Sequence, residues 1–357
     1  MDIKLSDVMK HFSLDCDVNE YGNGHINNTY LVKPDKYILQ KINTNIFCDP
    51  DSLMENIVQV TEFLKDKIAK DNGDTKRETL TVVKTSDDKN FLKIDSNNCF
   101  RCYEFVSDTV TLEVADNPNQ LYEAAKGFAK FQKRLADFPA HKLAETIKDF
   151  HNTPKRYENL VKAIEEDAVG RADSVREEIE FAMSQKDWIS SVVDGLNDGS
   201  IPLRVTHNDT KINNVLFDKD SGEAICVIDL DTVMPGSLLY DFGDALRIGA
   251  ASAAEDETDL SKVNFMMDYF KAFAKGYIEE LGDCLTERES ELLPLSAKLL
   301  TYECGIRFLT DHLSGDTYFR IHRENHNLDR ARTQFKLVRD IDAHLDEMNE
   351  IVKELLK

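Results

Sequence analysis

The chain contains 357 residues, of which 66 are acidic and 44 are basic, so its formal net charge at pH 7 is −22. Nucleic acids and anionic membranes bind basic surfaces, and this excess of acidic residues therefore argues against both as partners. It does not exclude ATP, because Mg²⁺ and a few cationic side chains can neutralise the phosphates locally. The length predicts two domains or two lobes.

Two features of the sequence predict a cytoplasmic protein with reduced cysteines. The chain begins with the charged stretch Met1 to Lys4, unlike a signal peptide, and no apolar run approaches the roughly 18 residues of a transmembrane helix. The seven cysteines are scattered and odd in number, which is not the pattern of a disulfide framework. Cys99 and Cys102 form an isolated CxxC, whose spacing fits alternation along a strand better than a zinc site.

The first 100 or so residues predict a small unit of mixed helices and strands. Leu53, Ile57, Val60 and Leu64 recur every three or four positions, a spacing typical of an amphipathic helix. The strands are short apolar runs bounded by turn residues. In chain order we predict a helix at 5–12, strands at 29–32 and 36–42, a helix at 51–71, two strands at 79–83 and 91–94 that pair with each other, and a strand at 100–106.

After Val106 helical periodicity dominates, and only short strands between positions 203 and 228 interrupt it. We therefore predict an α+β, bilobal protein kinase-like fold, with a small sheet-rich lobe at 1–104 and a large helical lobe at 105–357. A cleft between two lobes is a usual place for a ligand. The helices predicted for the large lobe are 121–135, 153–165, 173–185, 265–281, 287–313 and 328–356.

A glycine-containing turn in the small lobe is a candidate for binding nucleotide phosphates. Gly22 and Gly24 would let the main chain approach phosphate oxygens without a Cβ clash, and Asn27 follows as a polar side chain of the same turn. Hairpin turns use the same residue types widely, so the turn alone is a weak signal. The position of the turn, ahead of Lys41 in the predicted strand at 36–42, strengthens this signal.

Lys41 and Glu55 are a candidate pair that braces the nucleotide phosphates. Lys41 lies in the predicted strand at 36–42 and Glu55 lies in the next helix, which is the order that a phosphate-binding lysine and its supporting glutamate need. Taken singly, two such residues are more often an exposed strand lysine and a surface glutamate with no role in a site. Glu104 and Val106, in the segment that connects the two lobes, complete the predicted nucleotide site.

The most specific motif lies in the large lobe and carries the parts of a phosphoryl-transfer site in order. The sequence HNDTKINN spans residues 207–214, and a later VID ends at Asp229. Phosphoryl transfer needs a carboxylate that faces the attacking hydroxyl, and oxygen ligands that hold Mg²⁺ against the phosphates. Asp209 would supply the first, and Asn214 and Asp229 the second. Each residue alone is more often a turn former or a cap.

The spacing of these residues follows from a strand–turn–strand interpretation. Apolar runs at 203–206, 215–217 and 224–228 predict three short strands, and turn residues separate the last two. Folding the second strand back on the third would bring Asn214 close to Asp229, so that both can bind one metal ion. Asp209 would then lie one loop away, facing the substrate.

Three residues near this motif have open alternatives. His207 is equally consistent with a packed histidine that orders the loop and with a reacting group. Lys211 would either lie near the transferred phosphate as a point charge, with a catalytic role, or remain solvated. Asp241 lies in a DFG sequence, but Asp229 already occupies the strand-end position of a metal ligand, so we interpret Asp241 as a carboxylate that starts a helix or braces a loop. No GxxxxGK[ST] occurs, so the P-loop route to ATP is absent.

These residues resemble the motifs of the aminoglycoside phosphotransferase and choline kinase-like superfamily, bilobal relatives of protein kinases, and most closely those of N-acetylhexosamine 1-kinases. The resemblance is spread over most of the chain and is most specific between His207 and Arg247. Thr210-Lys211 follows the hexosamine kinase pattern and differs from the small or apolar pair of many other members. The other segments that carry the resemblance are 22–27, 37–43, 149–156, 227–236 and 306–311.

The resemblance implies ATP-dependent phosphorylation of the anomeric hydroxyl of N-acetylglucosamine or N-acetylgalactosamine, with ATP and Mg²⁺ as cofactors. The roles given above to the 207–214 loop, to Asp229 and to the Lys41–Glu55 pair carry over by motif matching. The resemblance also implies a sugar-binding set that contacts the sugar hydroxyls or the acetamido group. Its members are Asp209, Thr232, Arg307 and Tyr318.

Two other functions are consistent with the same residues. A kinase of this fold that acts on another small alcohol, such as an aminoglycoside, choline or homoserine, would use the same site, and an acidic protein attracts cationic acceptors. A non-catalytic nucleotide or sugar sensor is the other. Against the sensor, the chain keeps Lys41, Asp209, Asn214 and Asp229, of which a decayed kinase is expected to lose at least one.

Overall fold

A computed structural model of the chain describes residues 3–21, 27–34 and 36–357. Over these residues the fold is α+β, as predicted, with an antiparallel sheet in the N-terminal part and mainly helices in the C-terminal part. No helix in this part of the chain is both long and apolar enough to cross a bilayer.

The N-terminal part is built on one six-stranded antiparallel sheet in the order β1-β2-β3-β6-β4, with β5 also paired to β6. Its strands are β1 (Val18–Glu20), β2 (Asn28–Val32), β3 (Tyr37–Ile42), β4 (Val82–Val83), β5 (Leu92–Asp95) and β6 (Asn98–Glu104). The predicted pairing of the strands at 79–83 and 91–94 with each other is wrong. Both pair with β6, because this long strand offers one half, at Phe100, to β5 and the other half, at Tyr103, to β4.

Helix α1 (Leu5–Lys10) covers the outer face of this sheet, where its Val8 and Met9 form a small apolar cluster with Leu39 and Phe100. Since side chains alternate along a strand, Lys41 shares this outer face with Leu39. The outer face is therefore the side of the sheet that looks away from the helical part.

Helix α2 (Pro50–Lys70) covers the inner face of the sheet. It starts where Asp49 accepts a hydrogen bond from the main-chain nitrogen of Ser52 and Pro50 occupies the first turn, two common helix-start signals. Apolar side chains of α2 join Ile42 of β3 in a core that continues into the C-terminal helices. The two lobes thus share apolar packing through α2.

From residue 105 onward, where every residue is described, the chain forms eight α-helices, including all six that were predicted. The two that were not predicted are α6, which has only 8 residues, and α7, in which Leu238 to Arg247 are all buried. The helices are α3 (Pro118–Arg134), α4 (Thr153–Glu166), α5 (Arg176–Ser184), α6 (Ser191–Asp198), α7 (Leu238–Gly249), α8 (Met267–Leu281), α9 (Glu287–Leu313) and α10 (His326–Leu355).

Helices α7 and α9 approach each other closely because α7 carries a glycine at the contact. A Cβ atom at Gly243 would overlap with the main-chain carbonyl of Ser296 in α9. The glycine therefore sets the depth of α7 in the core, and with it the position of the polar side chains that α7 presents to the neighbouring loops.

Five short strands place the loops of the site. They are β7 (Thr109–Val110), β8 (Arg204–Thr206), β9 (Val215–Asp218), β10 (Ala224–Val227) and β11 (Met234–Gly236). Strands β9 and β10 pair antiparallel with Val215 opposite Val227, and the main-chain nitrogen of Ile228 donates to the carbonyl of Asn214 at 2.9 Å. The predicted folding of these two strands on each other is confirmed. Strand β11 pairs with β8, so the loops that follow β8 and β10 lie side by side.

Candidate active site

The loop at 207–214 leads from β8 into β9 and is tied to the turn that follows β10. Asn208 has a φ of 67°, in the left-handed region that asparagine tolerates better than most residues. Its side-chain nitrogen donates to the carbonyls of Thr206 at 3.2 Å and Thr232 at 2.7 Å. The hydroxyl of Thr232 in turn donates to the carbonyl of His207 at 2.7 Å. The two loops therefore form one rigid unit.

A buried carboxylate at the start of α7 holds the main chain of this loop. Asp241 accepts hydrogen bonds from the main-chain nitrogens of His207 at 3.0 Å and Asn208 at 2.8 Å, and from the side chain of Gln132 at 2.6 Å. Burial raises the pKa of Asp241, while the hydrogen bonds from the two main-chain nitrogens and from Gln132 act in the opposite direction. The interpretation of Asp241 as a loop-bracing carboxylate is confirmed.

His207 is fully buried and packs edge-on against the rings of Phe128 and Phe131. Its Nε2 donates to the carbonyl of Ile228 at 2.9 Å, and its Nδ1 accepts from the main-chain nitrogen of Asp209 at 3.2 Å. These two partners together select the neutral imidazole with its proton on Nε2. Of the two alternatives for His207, the geometry favours the histidine that orders the loop.

Asp209 lies at the mouth of this loop with 24% of its side chain exposed. Lys211 approaches its carboxylate to 2.8 Å, and the side-chain nitrogen of Asn214 donates to its carbonyl oxygen at 2.8 Å and to its carboxylate at 3.3 Å. Burial lowers the pKa of Lys211, but the charge of Asp209, its hydrogen bond and the charge of Asp244 together outweigh burial, and the net shift is upward. Lys211 therefore remains a cation beside the carboxylate.

Asp229 occupies the left-handed region, with a φ of 58°, at the end of β10. Its side chain is exposed, and among the described residues it has no hydrogen bond and no ion pair. Partial desolvation by the surrounding protein, followed by the negative charges of Asp231 and Asp209, raises the pKa of Asp229. A strained backbone that presents an unpartnered carboxylate among other carboxylates is a favourable place for a cation.

The residues fit a magnesium ion that is shared with a nucleotide. Within the described residues there is no group of three or more histidines, cysteines and carboxylates that could hold a metal by themselves. Mg²⁺ in phosphoryl-transfer sites usually takes only one or two protein ligands, with phosphates and water completing its shell. Since Asn214 uses its side-chain nitrogen on Asp209, its oxygen is available, as is the carboxylate of Asp229.

The Lys41–Glu55 pair that the sequence predicted is not formed. The ammonium of Lys41 lies 6.0 Å from the ring centre of Phe100, on the outer face of the sheet, and Glu55 is exposed and accepts from Gln59 within α2 at 2.9 Å. The physical reason is the alternation of strand side chains: Gln40, one position earlier, faces the inner side instead. A role of either residue in nucleotide binding remains only a prediction.

The inner face of the sheet instead carries an arginine that reaches the turn at 229–232, called the metal-side turn because it carries the predicted metal ligand Asp229. Arg101 of β6, which is 1% exposed, forms an ion pair with Asp231, two residues after Asp229. Gln40 accepts from the Nε of Arg101 at 2.9 Å. Asn27, predicted to be part of the nucleotide site, also donates to Asp231. Sequence reasoning missed Arg101 and Asp231, because nothing local links two positions that are 130 residues apart.

The remaining nucleotide-side predictions concern the connecting segment and the glycine turn. Glu104 ends β6, where its main-chain nitrogen donates to the carbonyl of Thr81 at 2.9 Å, and Val106 is buried just before β7. Both thus lie where the sheet passes into the helical part, as expected for the connecting segment. Gly22 and Gly24 lie outside the described residues.

On the acceptor side, a buried aspartate organises the loop at 315–319. Asp311 of α9 accepts hydrogen bonds from the main-chain nitrogens of Thr317, Tyr318 and Phe319 at 2.8 to 2.9 Å. Tyr318 is left 70% exposed, so its ring is available for contact with a ligand. Arg307, one turn before Asp311, lies over the ring of Phe319 at 5.5 Å.

A second arginine, which sequence reasoning missed as a site residue, lies beside Arg307. Arg156 donates to the carbonyl of Phe150 at 3.0 Å, and its buried Nε has no partner in the described part of the protein. Burial, followed by the charge of Arg307, lowers the pKa of Arg156. Arg307 lies 5.7 Å from the ring of Phe150. Two guanidinium groups therefore share this region.

His151 connects this region to the catalytic loop. Its Nδ1 is 2.8 Å from the carboxylate of Glu303, and its Nε2 is 3.3 Å from the carbonyl of Asn208, the residue before Asp209. Its ring packs on Phe150 with centroids 4.6 Å apart. The predicted acceptor-binding residues and the predicted catalytic loop are thus joined by direct contacts.

The comparison with known protein families agrees with this geometry. A model of the phosphotransferase enzyme family matches residues 17–280, which is well over half of the chain. The chain belongs to this phosphotransferase family. The match includes the loop at 207–214, Asp229 and Arg101, and the superfamily resemblance seen in the sequence is confirmed.

Solved structures of small-molecule phosphotransferases share the fold over nearly their whole length. A microcompartment-associated aminopropanol kinase is 15% identical, with a TM-score of 0.65, and the alignment covers 97% of this chain and 98% of that one. An aminoglycoside phosphotransferase from Alicyclobacillus acidocaldarius is 13% identical, with a TM-score of 0.63 and coverages of 99% and 98%. A spectinomycin phosphotransferase in complex with ADP and spectinomycin is 13% identical, with a TM-score of 0.58 and coverages of 97% and 100%. At these identities the likeness establishes the kinase-like fold.

Proposed function

We propose that this phosphotransferase moves the γ-phosphoryl group of ATP to the anomeric hydroxyl of an N-acetylhexosamine, N-acetylglucosamine or N-acetylgalactosamine, to give the sugar 1-phosphate. The observation that carries the proposal is the convergence of Asp209, Asn214 and Asp229 on one pair of interlocked loops. The choice of sugar rests on the resemblance of the 149–156, 227–236 and 306–311 segments to hexosamine 1-kinases.

In the proposed reaction Asp209 accepts the proton of the anomeric hydroxyl. The hydroxyl oxygen then forms a bond to the γ-phosphorus while the bond to the β–γ bridging oxygen breaks, and ADP leaves. Lys211, held 2.8 Å from Asp209, supplies positive charge next to the transferred group and keeps the carboxylate oriented. Because its pKa is raised, Lys211 stays protonated, which suits this electrostatic role better than a role in proton transfer.

Asn214 and Asp229 would hold Mg²⁺ through the amide oxygen and the carboxylate. When bound there, the ion supplies charge that neutralises the nucleotide phosphates. The hydrogen bond from Asn214 to Asp209 couples the two functions, because it fixes the amide oxygen and the catalytic carboxylate relative to each other. His207 and Asp241 keep the loop in the conformation that makes this possible.

The acceptor side supports a neutral acceptor over a cationic one. Arg156 and Arg307 lie close enough for each to disfavour further positive charge, and the pKa of Arg156 is already lowered. An aminoglycoside or choline would bring a cation to this region, whereas sugar hydroxyls and an acetamido oxygen accept hydrogen bonds from guanidinium groups. The exposed ring of Tyr318 offers an apolar surface for stacking on the sugar.

The test is phosphorus NMR of the protein with Mg·ATP and a panel of acceptors. The panel contains both N-acetylhexosamines, galactose, choline, homoserine, aminopropanol and kanamycin. We expect a new anomeric phosphate signal from an N-acetylhexosamine. Turnover of an amino alcohol or of kanamycin alone would replace the proposed acceptor, and no turnover with any acceptor despite bound ATP would favour a sensor.

The catalytic assignment is tested with Asp209→Asn and a matched control, Asp220→Asn, in the exposed turn between β9 and β10. We expect the first substitution to lower kcat by a factor of about 10² to 10⁴, the usual contribution of a positioned acid–base group, with ADP binding retained. The control should behave as the unmodified protein. Unchanged turnover of Asp209→Asn contradicts the assignment.

A further inference from the structure

The inner face of the sheet carries a buried polar cluster where the sequence predicted a lysine. Gln40 lies opposite Arg101 in the β3–β6 pairing, accepts from its Nε at 2.9 Å, and donates to the hydroxyl of Thr29 at 3.1 Å. Lys41 lies on the opposite face. Among the described residues of β3 and β6, Arg101 is therefore the only cation that points toward the metal-side turn.

Asp231 is the point at which this cluster meets the C-terminal part. One of its oxygens accepts from Arg101 and the other from Asn27, and the carbonyl of the Asn27 side chain accepts from the main-chain nitrogen of Asn43 at 2.9 Å. Both donors to Asp231 belong to the N-terminal part. Asp231 is 4% exposed, so neither interaction is screened by bulk water.

The turn that carries Asp231 also carries the proposed metal ligand. Asp229 is followed by a single helical turn, Leu230–Thr232, and Thr232 is fixed to the catalytic loop through His207. A shift of Asp231 is therefore transmitted to Asp229 over two residues, with little freedom between them. The position of the sheet thereby determines the position of the Asp229 carboxylate.

A buried ion pair is an inefficient way to stabilise a fold. Removing both charges from water is unfavourable, and well-packed neutral residues often serve stability as well or better. A pair in this position is more readily explained by what it orients, in the way that groups around a metal site orient its ligands. Asn27 and Gln40 each add a further hydrogen bond to the pair, as expected of a group whose geometry matters.

We propose that Arg101 and Asp231 are the positioning pair of this phosphotransferase: they hold the Asp229 turn against the sheet and so set the metal site under the nucleotide. The pair takes the place of the Lys41–Glu55 pair that the sequence order predicted. This inference rests on the proposed function, in which Asp229 is a metal ligand. Arg101 and Asp231 act through Asp229 and are not themselves catalytic residues.

The test measures metal-dependent nucleotide binding, which needs no acceptor. ADP is titrated into the protein by calorimetry with and without Mn²⁺, and bound Mn²⁺ is counted by electron paramagnetic resonance. We expect Arg101→Lys and Asp231→Asn to weaken Mn·ADP binding by about tenfold to a hundredfold, the usual effect of groups that orient a metal ligand. Binding of metal-free ADP should not change.

Because removing one partner of a buried pair often destabilises a protein, the deciding variant removes both charges. Arg101→Met with Asp231→Asn leaves no unpaired charge, and the amide oxygen introduced at position 231 can still accept from Asn27. The matched control is Arg204→Met with Glu289→Gln, which removes a buried pair that joins β8 to α9, with a further hydrogen bond from Arg204 to the carbonyl of Cys284, and makes no hydrogen bond to the Asp229 turn. Thermal unfolding is recorded for both.

The positioning role predicts that only the first double variant loses affinity for Mn·ADP, whatever the change in its melting temperature. In steady state the KM for Mg·ATP should rise while the KM for the acceptor stays the same. Native affinity for Mn·ADP in the Arg101→Met, Asp231→Asn variant overturns the inference while leaving the proposed function intact. Failure of the unmodified protein to bind Mn·ADP overturns both.

Discussion

Replacing Asp241 with asparagine is the sharpest test of how the catalytic loop is held. The carboxylate of Asp241 accepts three hydrogen bonds in a site with no water access: His207 and Gln132 donate to one oxygen and Asn208 donates to the other. Asparagine has nearly the same size, but one of its two terminal groups is a donor. At least one main-chain or side-chain N–H is then left facing another donor.

The expected loss in the free energy of unfolding follows from these contacts. If the side-chain oxygen of the asparagine takes the position that accepts from His207 and Gln132, the main-chain nitrogen of Asn208 has no acceptor. An unsatisfied buried donor costs about 1–3 kcal/mol. The other two hydrogen bonds lose their charge-assisted part, roughly 1 kcal/mol each. The raised pKa of Asp241 shows that burial of the charge offsets part of this. We expect a net loss of about 2–4 kcal/mol.

The assay is urea unfolding followed by tryptophan fluorescence, with phosphoryl transfer measured on the same samples well below the transition. Activity should fall with stability, since the main chain on both sides of Asn208 positions Asp209. Gln132→Leu is the matched control, which removes only the side-chain donor and should have the smaller effect.

Two results would refute the reasoning. The Asp241→Asn protein with native stability and native turnover would show that the three hydrogen bonds do not hold the loop. Native stability with complete loss of Mn·ADP binding would instead identify Asp241 as a metal ligand, the role that its DFG context suggests by analogy with protein kinases.

Three further predictions concern packing, acid stability and the acceptor loop. Gly243→Ala should destabilise the protein by about 1–3 kcal/mol in urea unfolding, because its methyl group overlaps with a main-chain carbonyl of α9. Ala245→Gly, the reverse exchange at another buried position of the same helix, should lose helix propensity and the contacts of one buried methyl group without any such overlap. Burial opposes the ionisation of Glu303, but the interactions with His151, Arg307 and Thr153 together outweigh it and lower the pKa of Glu303. The ionised form therefore contributes stability above about pH 4.5 that is lost as the pH falls through the lower folded-state pKa, and the stability difference between the native protein and Glu303→Gln should shrink over that range. Asp311→Asn should release the 315–319 loop and raise the KM for the acceptor while leaving ADP affinity unchanged; equal changes in both constants would count against the assignment of this loop to the acceptor.

The closeness of the 207–214 loop to the end of β10 was predictable because this geometry is local. The turn residues at 218–222 force β9 and β10 into an antiparallel pair, and this pairing alone brings Asn214 next to the end of β10. The helices of the C-terminal part were predictable for a similar reason, since an amphipathic helix on a protein surface shows its periodicity in the sequence. Helix α7 was not predicted: its polar residues Asp241, Asp244 and Arg247 recur every three positions, but they are buried and serve the neighbouring loops.

The face of a strand is harder to predict when both faces are buried. Tyr37-Ile38-Leu39-Gln40-Lys41-Ile42 has apolar residues at odd and even positions, so the sequence does not show which positions face the helical part. A shift of one position moves a side chain to the other face of the sheet. This is why Lys41 was predicted to face the nucleotide. In the structure Gln40 and Arg101 lie on the inner face of the sheet, and Lys41 lies on the outer face.

The sequence by itself determined the fold class, the order of the phosphoryl-transfer motif and the family. Each of these depends on residues that are near one another in the chain or on motifs with fixed spacing. Only the tertiary structure decided which cation reaches the turn at 229–232 and which two arginines lie close together near Phe150. Arg101 meets Asp231 across 130 positions, and Arg156 meets Arg307 across two helices, so their contacts exist only once the sheet and the helices have packed against each other.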